Sequence, residues 1–521
     1  MNTPPPDSLN DRRLNQIAWA LAVLAVVVRV ALAWRTHSTG EDTRITLRYA
    51  DNLATGRGFA YNPGERVFGT TTPLYTLLLA LAAWMHLPAL VVGKGVNILA
   101  DGLTTYLIAR LLTRPEIDRP MVGLFAALLY AVTSTPISIS ISGMETGLVT
   151  CVGLGMVTAY VAGRSRPLYL LGAALYLLRI DGLVLWGLLA LALAVRERRI
   201  PWRDLGLALL LALPWTLFAW SYFGSPLPGS LLAKLIAYRH GGLIPQPDHG
   251  LTKFNRDAFT SQFLLGWVQQ GTTALFLVGT AGIIAAAFKA RRPQAGETKA
   301  PSGGVHTLLV PMLWVLIYYA AMLTSKVPAF GWYFLPPWPL VTAVVGLGAG
   351  EIATVLRRLI SDQEQEGWRR AWLLILLVSI AGSTLHLPSV EHEIRMRQQE
   401  EDHLRLPLGL WLHDHVPPGE HILLEPIGYV GYYSERPIID AIGLVSPQVL
   451  PSYATPNPLA DMVRRLQPEW LCLRRNEAAQ LSPVGNLADD GRYTLATIFR
   501  SSDPRTPTEF LIYRRNRAAP P

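Results

Sequence analysis

The chain has 521 residues, half of them hydrophobic and only 16% charged, with a mean hydropathy of +0.28. So apolar a composition excludes a water-soluble multidomain protein and puts the membrane class first. The formal charge of +9 does not point to nucleic acid, because the basic residues fall between apolar runs rather than on one recognition segment.

In chain order, the first apolar run, Gln16–Trp34, lacks a small-residue cleavage site and reads as an uncleaved spanning helix. The stretch that follows, Glu41–Tyr75, is not membrane-like. It opens on adjacent acids, Glu41 and Asp42, then sets Arg44, Arg48, Arg57 and Arg66 among aromatics. The spacing Arg44, Arg48, Tyr49 fits one helical turn after the acids, and glycines and prolines from Gly56 to Pro73 break the rest into turns. Acids beside fixed cations at a membrane surface suit chemistry on an anionic, lipid-linked substrate; a loop that merely anchors to headgroups is the plain alternative. Leu74–His86 is apolar but short, and is expected as a juxtamembrane amphipathic helix with Leu74, Leu77, Leu78 and Leu81 in the lipid.

Further runs of about 20 apolar residues are Leu90–Leu112, Met121–Ile141 and Met144–Val161, then a broken pair, Leu168–Leu178 and Leu183–Val195, with Arg179-Ile-Asp181 between them. Leu205–Tyr222, Phe263–Phe288, Leu308–Leu323, Tyr333–Leu356 and Ala371–Leu385 complete eleven. With Leu74–His86 left out of that count, the connections rich in Arg and Lys all fall on the side of Arg12 and Arg13, which the positive-inside rule makes the cytoplasm. Residues 291–304 form a polar linker on that side. The Glu41 loop, the Ser142–Thr146 turn, the Arg179–Asp181 break and the loops 224–262 and 325–332 then share the outer face. The expected architecture is a polytopic α-helical protein of the plasma membrane, residues 1–389 with a first outer loop at 35–88. It is followed by a small extracytoplasmic α/β domain at 390–521. Strands are expected at His421–Glu425, Trp470–Leu473, Thr494–Phe499 and Glu509–Tyr513, and a helix at Ala460–Leu466.

Cys151 and Cys472 give no disulfide framework, CxxC or metal pattern, and His413-Asp414-His415 reads as a surface turn. No Walker A, GxGxxG or HExxH motif appears. No cofactor and no divalent metal are indicated. Lys94, Asn97 and Asp101 share one helical face; they are either functional, as ionisable residues in a span usually are, or a polar seam between helices.

Several motifs in fixed order carry a resemblance. EDTRITLRYADNLATGRGFAYNPGERVFGTTTPLY resembles the first outer loop of polyprenyl-phosphate-sugar glycosyltransferases of the GT-C superfamily, nearest the cell-wall arabinofuranosyltransferase and mannosyltransferase-like branch. Ser142-Gly-Met-Glu-Thr146, Arg179-Ile-Asp-Gly182, the run from Tyr222 to Lys234, Trp332-Tyr-Phe-Leu-Pro336 and Gly428–Tyr433 through Asp440–Leu444 are similar to that branch's later motifs. The resemblance implies a GT-C fold, a polyprenyl-phosphate sugar donor, and a glycan, lipid or protein acceptor on the outer face, usually with inversion. It implies that the acid pair supplies the catalytic base, Asp42 or Glu41, the first acid being Glu where the branch has Asp. Lys234 matches the motif lysine and is expected at the donor phosphate, with Arg44, Arg48 and Lys94 as further candidates. Glu145, Arg179, Asp181 and Tyr333 are expected in the sugar cavity. Trp332 stands where arginine is frequent, so that phosphate contact is absent or relocated to Lys326. The competing readings are a transporter or flippase of lipid-linked sugars, which would tend to show repeated halves, and a non-catalytic scaffold for envelope assembly.

Overall fold

The computed structural model describes residues 11–239, 243, 255–257, 259–260, 272–290, 304–360, 364–481, 492–501 and 508–516. The linker expected at 291–304 lies, except for Gly304, outside them, as does the start of the expected span Phe263–Phe288.

The described chain opens on α1 (Asp11–Thr36), α2 (Glu41–Ala54), α3 (Pro73–Trp84) and α4 (Ala89–Leu112). There follow α5 (Pro120–Val132), α6 (Ser134–Ser140), α7 (Thr146–Val161), α8 (Ser165–Leu178), α9 (Gly182–Glu197), α10 (Trp202–Phe223) and α11 (Gly229–Arg239). Later helices run Thr272–Ala290, Leu309–Thr324, Trp338–Ile360 and Glu364–Glu400. α2 starts where Gly40 is extended and two acids occupy the first turn, where the helix dipole favours negative charge. α3 starts on Pro73, whose missing N–H costs nothing at a helix start. α10 stops at Gly224, whose φ of +77° favours a residue without a Cβ.

By length and composition, five described helices can cross a bilayer, or six if α5 and α6, bent by 56° at their break, make one span. Expected span Met121–Ile141 is this bent pair. Expected span Leu90–Leu112 is one unbroken helix, α4, but Lys94, Asn97, Asp101 and Arg110 dilute its hydropathy. The chain breaks between α8 and α9 at Arg179–Asp181. α3 is a helix that packs Tyr75, Thr76, Leu79 and Ala82 inward and leaves Leu77, Leu81 and Trp84 exposed. Leu74 and Leu78, expected in lipid with Leu77, instead pack partly against the protein core.

Arg29, Asp101 and Tyr130 meet where α1, α4 and α5 pack together. Arg29 pairs with Asp101, Tyr130 donates to Asp101 at 2.5 Å, and Arg29 also donates to the Ala131 carbonyl at 2.9 Å. Asn97 is equally occupied, donating to Tyr75 and Gly93 and accepting from the Leu148 amide. The polar face of α4 from Asn97 to Asp101 is therefore a seam between helices. Arg29 was the unread half of it.

Residues 422–515 carry a five-stranded sheet: β1 (Ile422–Leu424), β2 (Ile438–Asp440), β3 (Trp470–Arg474), β4 (Tyr493–Arg500) and β5 (Glu509–Arg515), in the order β2-β1-β3-β5-β4. β1 runs parallel to β2 and β3; β5 is antiparallel to β3 and β4. β2 was not foreseen, since three fully buried residues show no alternation to read. The boundary placed at 390 falls inside the helix Glu364–Glu400, which runs through it. One apolar core joins this sheet to the first loop: Tyr49, Phe59 and Tyr61 pack with Leu408, Ile422, Ile438 and Trp470. The loop after α1 is thus held between the helix bundle and the sheet.

Candidate functional site

That placement opens a cavity of about 210 Å³ beside α2. Asp42 and Thr46 of α2 form one wall. Thr70–Thr72 before α3, Met144 and Glu145 before α7, and Arg179 and Asp181 at the α8–α9 break form the next. Ser230 and Lys234 of α11, with Trp332 and Tyr333, complete it. Asp42, Glu145, Arg179, Asp181 and Ser230 sit at helix ends or a chain break, where freed backbone must be satisfied by something other than helix, whereas Thr46 and Lys234 project from within α2 and α11.

Asp42 and Glu41 part company. Successive helix residues point about 100° apart, and here the two acids turn to different partners. Asp42 lines it, and among the described residues no hydrogen bond or ion pair takes up its carboxylate. Burial pushes its pKa up, the Lys234 ammonium opposes that, and the Glu425 carboxylate adds to it. A carboxylate so placed is a stronger base than one in water. Glu41, expected in the same cavity as base or partner, turns the other way. Its Oε1 accepts from the Gly428 amide at 2.6 Å, its Oε2 from the Tyr429 amide at 3.1 Å, and Arg405 lies 3.7 Å away. Both its oxygens bind the segment leading into the helix Tyr429–Ser434, which makes it a clasp between α2 and the carboxyl-terminal region.

The cations divide in the same way. Lys234 faces the cavity, and its Nζ donates to the Tyr333 hydroxyl at 3.2 Å. Burial would favour the neutral amine, but the Tyr333 hydroxyl and the Asp42 carboxylate hold its pKa above the usual lysine value. Arg179 is spent on its neighbours: it pairs with Asp181 at 2.8 Å and Glu145 at 3.5 Å, and its guanidinium stacks over the Tyr333 ring at 5.0 Å. Tyr318 donates to Asp181 at 3.2 Å. Three of the four expected sugar-cavity residues therefore form one ion-paired wall, tied to Tyr333.

Three expected phosphate ligands lie elsewhere. Arg48 points into the clasp, donating to the carbonyls of Tyr61 (2.9 Å), Gly431 and Arg436 (2.7 Å). Arg44 sits over the rings of Tyr429, Tyr432 and Tyr433, at 4.9, 5.2 and 5.0 Å. Lys94 lies behind the Gly143 turn and does not line the cavity. Both arginines follow Glu41 rather than Asp42 around α2, and aromatic and carbonyl partners from 427–436 claim them. Lys326 is exposed and off the cavity, whereas Trp332 lines it. Among the described residues no group of three His, Cys, Asp or Glu is arranged to hold a metal ion.

Sequence reasoning missed Ser230 and Tyr318. Ser230 lies inside a quoted motif, four residues before Lys234 and so on the same helix face; that spacing was the available signal. Tyr318 was hidden inside an apolar span.

The clasp makes a testable demand on Gly428. A Cβ there would overlap the Glu41 carbonyl oxygen and its carboxylate, and neither can withdraw without losing the two amide bonds. Gly428→Ala is expected to destabilise the protein by about 1–3 kcal/mol, the usual cost of overpacking, and a lowered melting temperature in detergent checks it.

The fold as a whole has counterparts among solved structures. Over 96% of the chain and 99% of the other, the structure superposes on ArnT from Cupriavidus metallidurans bound to undecaprenyl phosphate, with a TM-score of 0.56 and 13% identity. The apo form of ArnT gives the same score over 94% of the chain. The fold is the GT-C fold of ArnT. In sequence, 239 residues are 28% identical to the terminal β-(1→2)-arabinofuranosyltransferase of Mycobacterium tuberculosis; the match spans 41% of this chain and 38% of that protein. Residues 392–513 match a family described as Domain of unknown function (DUF8728).

Proposed function

We propose that this chain is a membrane glycosyltransferase that moves one sugar from a polyprenyl-phosphate donor to an acceptor hydroxyl. The observation that carries it is the pairing of an uncommitted carboxylate, Asp42, with a lysine, Lys234, in one cavity of a fold shared with a protein that binds undecaprenyl phosphate. The acceptor hydroxyl attacks the anomeric carbon as Asp42 takes its proton. The bond from that carbon to the phosphate oxygen breaks, its electron pair stays on the departing polyprenyl phosphate, and Lys234 compensates the growing charge. Displacement in one step inverts the anomeric centre. A cavity near 210 Å³ lies below the 300 Å³ usual for drug-sized ligands, which suits a single sugar with its phosphate. Lys234 supplies the countercharge, so the scheme calls for no metal. The Glu145–Arg179–Asp181 wall offers acceptors for sugar hydroxyls.

The likeness to an arabinofuranosyltransferase favours a pentofuranose donor and an envelope glycan, lipid or protein as acceptor. The proposed topology keeps eleven spans in the plasma membrane, with the amino terminus inside, and the cavity and carboxyl-terminal domain outside. α4 is packed among other helices, which offsets the polarity of Lys94, Asn97 and Asp101. α8 and α9, of 14 and 16 residues, are the two short halves of the span pair broken at Arg179–Asp181. A carboxyl-terminal alkaline phosphatase fusion is expected to be active, as that enzyme needs the outer compartment; a dark phosphatase with a fluorescent reporter at the same position would reverse the topology. The reaction itself is tested by sugar release from a synthetic donor.

A further inference from the structure

The cavity contains a second feature, at the start of α11. Ser230 is 3% exposed, lines the cavity, and its hydroxyl has no hydrogen-bond partner among the described residues. A serine in a helix's first turn ordinarily spends its hydroxyl on backbone; this one does not. Around it, the Gly229 amide bonds the Phe68 carbonyl at 2.9 Å and the Leu231 amide bonds the Pro228 carbonyl at 3.2 Å. The Ser230 amide has no acceptor among the described residues. An orphaned hydroxyl in so buried a place is costly unless something arrives to use it.

We infer that Ser230, with the amino-terminal end of α11, donates to the phosphate oxygen that leaves the sugar, completing with Lys234 a three-sided cradle for a phosphomonoester. The inference rests on the glycosyltransferase reading and names the donor subsite of that same cavity. Ser230 and Lys234 stand four residues apart and so share one face of α11, and both reach the cavity. The two contribute differently. Lys234 is a point charge that attracts the phosphate before and during reaction. The hydroxyl and the helix end are fixed dipoles, aimed where charge develops as the bond from anomeric carbon to oxygen breaks. The electron pair of that bond comes to rest on the oxygen, and the Ser230 O–H donates to it without giving up its proton. Asp42, which lines the same cavity, holds the proton taken from the acceptor.

The test uses the full-length protein in detergent with a synthetic polyprenyl-phosphate sugar. Ser230→Ala is expected to lower kcat about 10- to 100-fold, the effect of losing one donor to a charged oxygen, with KM changed less than about 3-fold. Ser230→Thr, which keeps the hydroxyl, is expected to recover most of the loss; a merely structural role would not follow the hydroxyl. Thermal stabilisation by polyprenyl phosphate, the released product, is expected to need a higher concentration in Ser230→Ala than in the wild type. Unchanged kcat in Ser230→Ala, in a wild-type background that turns over, overturns the cradle and leaves the glycosyltransferase reading standing. So does a loss that Ser230→Thr fails to rescue. A wild type that neither turns over the donor nor is stabilised by polyprenyl phosphate removes both together.

Discussion

Asp42→Asn is expected to lower turnover by about two orders of magnitude or more, the usual contribution of a general base, while the protein folds and still binds donor. Asparagine fills the same space and keeps the first-turn position, but it cannot accept a proton. Donor binding should survive because, in the proposed scheme, the phosphate is held by Ser230 and Lys234 of α11 rather than by Asp42. Thermal stabilisation by polyprenyl phosphate separates the two effects: it is retained in the variant while kcat falls. Glu41→Gln provides the contrast. Its two oxygens hold the Gly428 and Tyr429 amides, so a neutral amide should lose stability and position Asp42 less well, with a visible drop in melting temperature. If Glu41→Gln silenced the enzyme at unchanged stability and Asp42→Asn did not, the base would have been assigned to the wrong carboxylate.

Lys234→Met is the second large effect. It deletes the cavity's one cation that is not ion-paired among the described residues, and keeps most of the apolar stem. Removing a charge that stabilises developing negative charge in a buried site costs about 100- to 1000-fold in kcat, and a rise in KM should accompany it because the ground-state phosphate is also anionic. The pH profile carries a sign. Asp42 acts deprotonated, so the rate rises as pH climbs through its pKa. Lys234 holds that pKa down against burial, so its removal must move the acidic limb to higher pH. A limb that stayed in place or moved down would mean that the two groups do not share a site.

The sequence made the site legible in pieces, because its polar motifs sit in an apolar chain where every ionisable residue asks for a reason. Asp42, Glu145, Arg179, Asp181, Lys234 and Tyr333 come from five separate stretches and meet in one cavity. What the sequence could not resolve was direction. Glu41 and Asp42 are adjacent, and which faced the cavity depended on the rotation of α2. That rotation is set by Tyr49, Phe59 and Tyr61 packing onto a sheet more than 350 residues later in the chain. Arg44 and Arg48 turned with Glu41 for the same reason. The fold was readable where breaks are chemical, as at Arg179–Asp181, and less so where tertiary packing substitutes for hydropathy, as in α4. β2 has no periodic signature and is defined by pairing with β1 alone.

The central claim is that this cavity transfers a sugar from a polyprenyl-phosphate donor, and the most direct measurement is release of labelled sugar from synthetic polyprenyl-phosphoryl arabinofuranose by purified protein in detergent. The account predicts time-dependent consumption of donor by the wild type, with equimolar polyprenyl phosphate appearing, and almost none by Asp42→Asn at equal fold and equal donor binding. Equal consumption by the two proteins, or binding of the donor by the wild type without turnover in the presence of envelope acceptors, would contradict it.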